Sequence, residues 1–225
     1  YSCGRVGEQK YKSAMQVKLI SVTKPCVEGI NTAEELVAYC ARVSNPSNQL
    51  NTSTSSKLLR YCADHHHWSI FEMVNMCCEI KTSRAIAAQI LRHRSFSFQE
   101  FSQRYSSVTE LEPIELRRQG KTNRQVGDED FDLAPEDRAW MYQLQHESQL
   151  LYNKLIDSGV ARESARFILP LNTQTTLYMS GTIRSWITYL QLRSNQDTQK
   201  EHRDIAEALK GIFKKEFPAI YDALF

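Results

Sequence analysis

Residues 71–94 read FEMVNMCCEIKTSRAIAAQILRHR, and the change of rhythm inside this stretch decides the fold class. From Phe71 to Lys81 the apolar residues Val74, Met76, Cys78 and Ile80 fall on every second position. A period of two puts them on one face of a β-strand. Ser83 then offers a helix N-cap, and SRAIAAQILRHR continues as a helix that carries the chain to Arg94. Beyond it Phe96 and Phe98 alternate with serines, so the backbone is expected to be extended again.

The same reading extends outward in both directions. Met15 opens a strand-like MQVKLISV, preceded by YSCGRVGEQKYKSA. That leader has no periodicity and reads as a cloning remnant or loose, disordered tail over 1–14, ahead of one domain over 15–225. Thr32-Ala-Glu-Glu35 is a capping box for a helix to about Val43, stopped by Asn45-Pro46. A second helix contains Lys57 to Asp64. The charged run LEPIELRRQGKTNRQVGDED (111–130) reads as a long loop or small excursion, and 106–134 suits a mobile loop over a substrate. Pro135 starts the longest helix, with Trp140, Leu144, Leu151 and Leu155 as its apolar side and Gly159 as its stop. A short helix ends at Pro170, a Thr-rich strand follows over 172–180, and TIRSWITYLQLR is again helical. Thr198-x-x-Glu201 caps a last helix carrying Ile205, Leu209, Ile212 and Phe213, ended by Pro218. Few strands and several helices define an α+β domain: a small, mostly antiparallel sheet flanked by helices.

Composition narrows the function. The 28 basic and 26 acidic residues nearly cancel to a net charge of +2, whereas a dedicated nucleic-acid binder usually carries a basic excess. No apolar run approaches the roughly 20 residues that span a bilayer, so a soluble cytoplasmic protein is expected, or one of the host cytoplasm if the chain is viral. The cysteines at 3, 26, 40, 62, 77 and 78 form no Cys-x-x-Cys pair and read as reduced thiols. His65-His66-His67 invites a metal, but consecutive side chains diverge, so no metal site is expected.

The stretch RHRSFSFQEFSQRY (92–105) concentrates the chemistry. If 99–105 is extended, Glu100, Ser102 and Arg104 share one side, with Phe101, Gln103 and Tyr105 on the other. Arg92 and Arg94 at a helix C-terminus are favoured by the macrodipole alone, which allows a plain solvated face. The same guanidinium forks also suit a phosphate, with Glu100 accepting from a sugar hydroxyl. A small nucleic-acid-binding module using Arg92 to Arg104 is a further alternative. Phe96, Phe98 and Phe101 read as core rather than as stacking platforms.

Arg92-His93-Arg94, seven residues and then Ser102 resemble the R-H-R-x7-S signature of the flavin-dependent thymidylate synthases. His67-x-Ser69-x-x-Glu72 is similar to that family's H-x-[ST]-P-x-E segment, with Ile70 in place of proline. Arg166-x-x-Leu169-Pro170 resembles its R-x-x-L-P segment, and Arg184-Ser185 with Leu190-Gln191-Leu192-Arg193 its late helix. Order and gaps agree across nearly the whole chain.

The resemblance implies a homotetramer with active sites shared between chains, tightly but noncovalently bound FAD, and NADPH and methylenetetrahydrofolate as co-substrates. The implied reaction is reductive methylation of dUMP to dTMP, without membrane or nucleic-acid partners. It implies flavin contacts by His67, Ser69, Arg92, His93, Arg94, Glu100, Thr182, Arg184 and Thr188, although family members often carry Asn or His at the positions of the two threonines. It implies dUMP contacts by Gln89, Arg92, Glu100, Ser102, Gln103, Arg104, Arg166 and Arg193. Arg193 is the implied catalytic group, polarising the uracil ring. The flavin-free synthases use a cysteine in a P-C-[HQ] motif, and Pro25-Cys26-Val27 lacks that context. Arg184 and Arg193 lie nine residues apart, about half a turn out of phase, so either one of them is ordinary surface or the helix lies between two sites, which shared sites would make natural.

Overall fold

The computed structural model describes residues 15–107 and 110–225; the tail reading of 1–14, and Cys3 with it, lies outside these residues. Four antiparallel strands form the main sheet in the order β1 (Gln16–Val22), β2 (Asn75–Ser83), β6 (Gln174–Thr182), β3 (Ser97–Glu100). The helices are α1 (Ala33–Ala41), α2 (Ser55–Asp64), α3 (Arg84–Ile90), α4 (Pro135–Asp157), α5 (Arg162–Ala165), α6 (Ile183–Arg193), α7 (Lys200–Glu216) and α8 (Pro218–Leu224). A small mixed domain with an antiparallel sheet is what the sequence led one to expect.

Both central strands turn directly into helices. The Ser83 hydroxyl accepts from the Ile86 N–H at 3.3 Å, and Thr182 accepts from the Ser185 N–H at 3.3 Å. Each cap satisfies an N–H that the first helical turn leaves without a partner. Because Asn75 pairs with Thr182 and Ser83 with Gln174, α3 and α6 leave the sheet at opposite ends. Both contribute to one core. Met76, Cys78, Ile80, Leu177 and Met179 of the sheet cluster with Ile86, Ile90, Trp186, Leu190, Leu209 and Phe213 of the helices. Fully burying a side chain of this size is worth roughly 1.5–3 kcal/mol. The Trp186 indole donates to the Met76 carbonyl at 3.0 Å, so the largest buried ring has its polar atom satisfied. Phe96 packs edge-on to Trp186 and lies over Gly181, where a Cβ would stand 2.5 Å from its ring. Gly181 thus lets a ring lie against the backbone of a central strand.

Several expectations are corrected. The helix α3 stops at Ile90 with Leu91 as its C-cap, so Arg92 to Arg94 occupy the turn beyond it rather than its last turn. The extended segment ends at Glu100; Tyr105 and Ser106 both donate backbone N–H groups to the Ser102 carbonyl, and the chain turns. Alternation consequently fails there: Gln103 is buried and Tyr105 is 89% exposed. Thr198 does not cap α7; Gln199 holds that position, and the Thr198 hydroxyl donates to the Leu192 carbonyl instead. Pro218 ends α7 by opening α8.

The charged run is not a bare loop. It forms a hairpin of β4 (Arg117–Gln119) and β5 (Gly127–Asp130), preceded by a bridge between Leu111 and Thr173. Gln174 donates to the Glu112 carboxylate at 2.7 Å, Lys200 to Glu115 at 2.8 Å, and Arg117 pairs with Glu201. The hairpin is therefore tied to the start of α7. The long helix α4 ends as expected at Gly159, whose φ of +87° suits a residue without Cβ. Its apolar side is uncovered, however: Trp140, Leu144, Leu150 and Leu151 are all exposed, and Tyr152 is its one buried side chain among the described residues.

Candidate active site

The turn after α3 meets the end of α6. Arg193, the last residue of α6, donates from Nε to His93 Nε2 at 2.9 Å. A guanidinium only donates, so His93 Nε2 must present its lone pair and the imidazole is neutral. Burial first, and the Arg193 charge second, lower the His93 pKa from 6.5 to about 4. The Nη groups of Arg193 have no hydrogen-bond partner among the described residues, so its fork is held at the root and open at the tip. Arg92 and Arg94 flank His93, both exposed and without a side-chain partner among the described residues.

Two neighbours of this pair, Tyr189 and His202, were not singled out from the sequence. Tyr189, on the inner face of α6, presents its ring edge-on to His93 at 4.8 Å. Its hydroxyl lies 3.0 Å from His202 Nε2, and His202 Nδ1 lies 3.3 Å from Gln89 Oε1. Burial, then the charges of Arg193 and His93, lower the His202 pKa to about 3. A signal was present: His202 stands on the stripe Ile205, Ala206, Leu209, Phe213, where a helix facing the core has no reason for imidazole unless it is hydrogen-bonded.

A second cluster gathers around the turn after β3. An open cleft of about 400 Å³ is lined by Ser102, Arg104, Tyr105, Ala161, Arg162 and Glu163. Arg104 pairs with Glu163 at 3.7 Å, both about two-thirds exposed, a contact that contributes little by itself. The Arg166 guanidinium lies 5.8 Å from the Phe167 ring. Arg162, missed from the sequence, binds the Ser107 hydroxyl at 3.2 Å and adds a second guanidinium beside Arg104. Ser102 has no histidine beside it in this cleft, which fits binding rather than nucleophilic attack. Glu100 accepts from Arg84 at 2.8 Å and Thr175 at 3.0 Å, and Arg84 also holds the Phe101 carbonyl, so this carboxylate anchors the turn.

The remaining residues form a third cluster at the start of α6. Arg184 pairs with Glu72 at 2.5 Å, and Glu72 closes the short helical turn Trp68–Glu72 that carries Ser69 and follows His67. His67 and Ser69 are exposed. Thr182 caps α6, and Thr188 donates to the Arg184 carbonyl at 3.2 Å; both hydroxyls have local partners. Arg184 and Arg193 contact different neighbours, Glu72 and His93. The three adjacent histidines diverge: His65 stacks on Tyr61, while His66, at φ +56°, faces Trp68. Among the described residues no group of three His, Cys, Asp or Glu side chains is placed to hold a metal ion.

Fold and site define a class first: an α+β protein with guanidinium-rich surfaces, two of them at turns, suited to anionic and planar small molecules. Residues 25–219 match the family described as thymidylate synthase complementing protein. A probable flavin-dependent thymidylate synthase of Paramecium bursaria Chlorella virus 1 is 59% identical over 216 residues, covering 93% of this chain and 99% of that protein. The flavin-dependent thymidylate synthase of Synechocystis is 54% identical, with coverage of 93% and 99%. The solved UMP/dUMP methylase PolB from Streptomyces cacaoi, bound with 5-Br dUMP, superposes with a TM-score of 0.79 at 25% identity, covering 94% of this chain and 95% of that one. This chain belongs to the flavin-dependent thymidylate synthase family and is an enzyme of that class.

Proposed function

We propose that this chain forms dTMP from dUMP, taking a one-carbon unit from methylenetetrahydrofolate and reducing equivalents from NADPH through a noncovalently bound FAD. We also propose a homotetramer in which sites are shared between chains, working in the cytoplasm of its host or source cell. The observation that carries the reading is the Arg193–His93 contact, in which a neutral imidazole holds a guanidinium whose Nη groups remain open. Uracil carbon 5 is a weak nucleophile. A fork against the imide edge opposes the negative charge that develops there as carbon 5 attacks the methylene carbon. Carbon 5 then loses its proton, tetrahydrofolate departs, and a hydride completes the methyl group.

The donor set suits a flavin dinucleotide. Arg92 and Arg94 are exposed guanidiniums without side-chain partners among the described residues, fitted to a diphosphate. His67, Ser69, His93, Thr182, Arg184 and Thr188 would complete that surface, with Glu100 behind the turn. When bound, the flavin supplies the hydride that NADPH delivers to it. Ser102, Gln103, Arg104 and Arg166, together with Gln89 and Arg92, would hold dUMP, with Arg104 and the added Arg162 on the phosphate side of the 400 Å³ cleft. The separation of these residues into three clusters on one chain supports shared sites.

The test is direct. Protein supplied with dUMP, methylenetetrahydrofolate, FAD and NADPH should yield dTMP, and the preparation should be yellow and release flavin on heating. A fully flavin-loaded protein that makes no dTMP would refute methyl transfer. A colourless protein unable to bind FAD would refute the cofactor as well.

A further inference from the structure

His202 is completely buried on α7, and both ring nitrogens are engaged. Five contacts run in one line from Tyr189 through His202 to the hairpin: Tyr189 to His202 (3.0 Å), His202 to Gln89 (3.3 Å), Gln89 Nε2 to Gln199 Oε1 (2.7 Å), Gln199 Nε2 to Glu201 Oε2 (3.0 Å), and Glu201 to Arg117. An amide and an imidazole can each face either way, so the direction of such a line is set by its ends. Here one end is a carboxylate. Burial would raise the Glu201 pKa, but bonds from Arg117, its own backbone N–H and Gln199 outweigh it and leave it lowered, so Glu201 is ionised and only accepts. Gln199 must then turn its NH2 to Glu201 and its oxygen to Gln89. Gln89 in turn donates to Gln199 and offers its oxygen to His202. His202 consequently carries its proton on Nδ1 and accepts the Tyr189 hydroxyl at Nε2.

We infer that His202 is a positioning residue that holds the Gln89 amide in the orientation set by the Arg117–Glu201 ion pair at the base of the hairpin. Gln89 keeps one free N–H and one free lone pair, in a defined orientation, for a ligand. The same hydrogen bond places Tyr189, whose ring backs the His93 that holds Arg193. The inference rests on the proposed function for the identity of that ligand, dUMP.

Two substitutions divide the roles of the ring. In His202→Asn the side-chain NH2 takes the place of Nδ1–H and still donates to Gln89. In His202→Gln the longer amide reaches towards Tyr189 and leaves the Gln89 oxygen without a donor. In the flavin-loaded protein, dUMP binding by calorimetry should stay within about threefold of wild type for Asn and weaken about tenfold or more for Gln, at similar melting temperatures. Equal affinities for the two variants, or affinities that simply follow melting temperature, would overturn the positioning role. Ring-nitrogen NMR of the wild-type protein reads the inference without substrate. It should show the His202 proton on Nδ1, and a proton on Nε2 overturns the inference even if dUMP binds normally. A wild-type protein with the proton on Nδ1 that fails to bind dUMP would instead refute the proposed function and leave the polarity of the line established.

Discussion

At the scale of single residues, Arg193 and the two neutral histidines carry the sharpest consequences. Under the proposed function, charge on the pyrimidine grows towards the transition state, so Arg193 should matter more to turnover than to binding. Arg193→Ala should keep its flavin and its reduction by NADPH, yet lose on the order of a hundredfold or more in dTMP formation. Arg193→Lys should restore little, because an ammonium lacks the planar fork. Normal single-turnover yield in either variant would remove Arg193 from the chemistry. The histidines make the protein sensitive to acid. Their folded pKa values, about 4 for His93 and about 3 for His202, lie below the ordinary 6.5. The unfolded chain therefore binds more protons as pH drops below about 6.5, and stability is lost from there down to those folded values. Below pH 6, a buried group of this kind costs up to about 1.4 kcal/mol per pH unit. Melting temperatures between pH 7 and 4.5 should thus fall less steeply in His202→Asn than in wild type; parallel curves would show that His202 titrates normally in the folded state.

At the scale of elements, the strand-to-helix junctions hold the site together. Gly181→Ala places a methyl 2.5 Å from the Phe96 ring. The ring is wedged against Trp186, so the cost should be about 1–3 kcal/mol, read as a shifted denaturant midpoint. Phe96→Leu in the same chain should recover part of the loss, and a neutral Gly181→Ala would mean that the ring moves freely. At the start of α6 the Thr182 hydroxyl is a cap. Thr182→Ala should cost about 1 kcal/mol of stability and Thr182→Ser much less. Loss of flavin affinity without any loss of stability would instead assign that hydroxyl to the cofactor.

At the scale of the whole molecule, α4 keeps several large apolar side chains exposed. Trp140 is 69% and Leu144 61% exposed, with Leu150 and Leu151 beside them. Large contiguous apolar patches are where proteins meet partners. Under the proposed assembly another chain would cover this face. Trp140→Glu combined with Leu144→Glu should reduce the particle mass in light scattering and abolish dTMP formation together, since shared sites would come apart. An unchanged mass with full activity would place the contacts between chains elsewhere.

The sequence by itself determined what depends on neighbours along the chain. Alternation in 74–80 gave the buried face of β2, Ser83 marked the cap of α3, and Gly159 marked the end of α4. It also singled out Arg92-His93-Arg94 and Arg193, although it placed the first three in a helix that in fact stops at Ile90, and the half-turn phase between Arg184 and Arg193 matches their different neighbours. Only the tertiary structure decided what depends on distant partners. Strand β3 ends at Glu100 because Arg84 and Thr175 hold that carboxylate, and no local rule predicts where such partners stop an alternation. The charged run becomes a hairpin because Glu201, 84 residues from Arg117, receives its guanidinium. The Tyr189–His202–Gln89 line joins three helices, and its polarity comes from a carboxylate beyond all three side chains. Local periodicity records which face of an element is buried; the orientation of a buried amide or imidazole is fixed only by the groups that meet it in space.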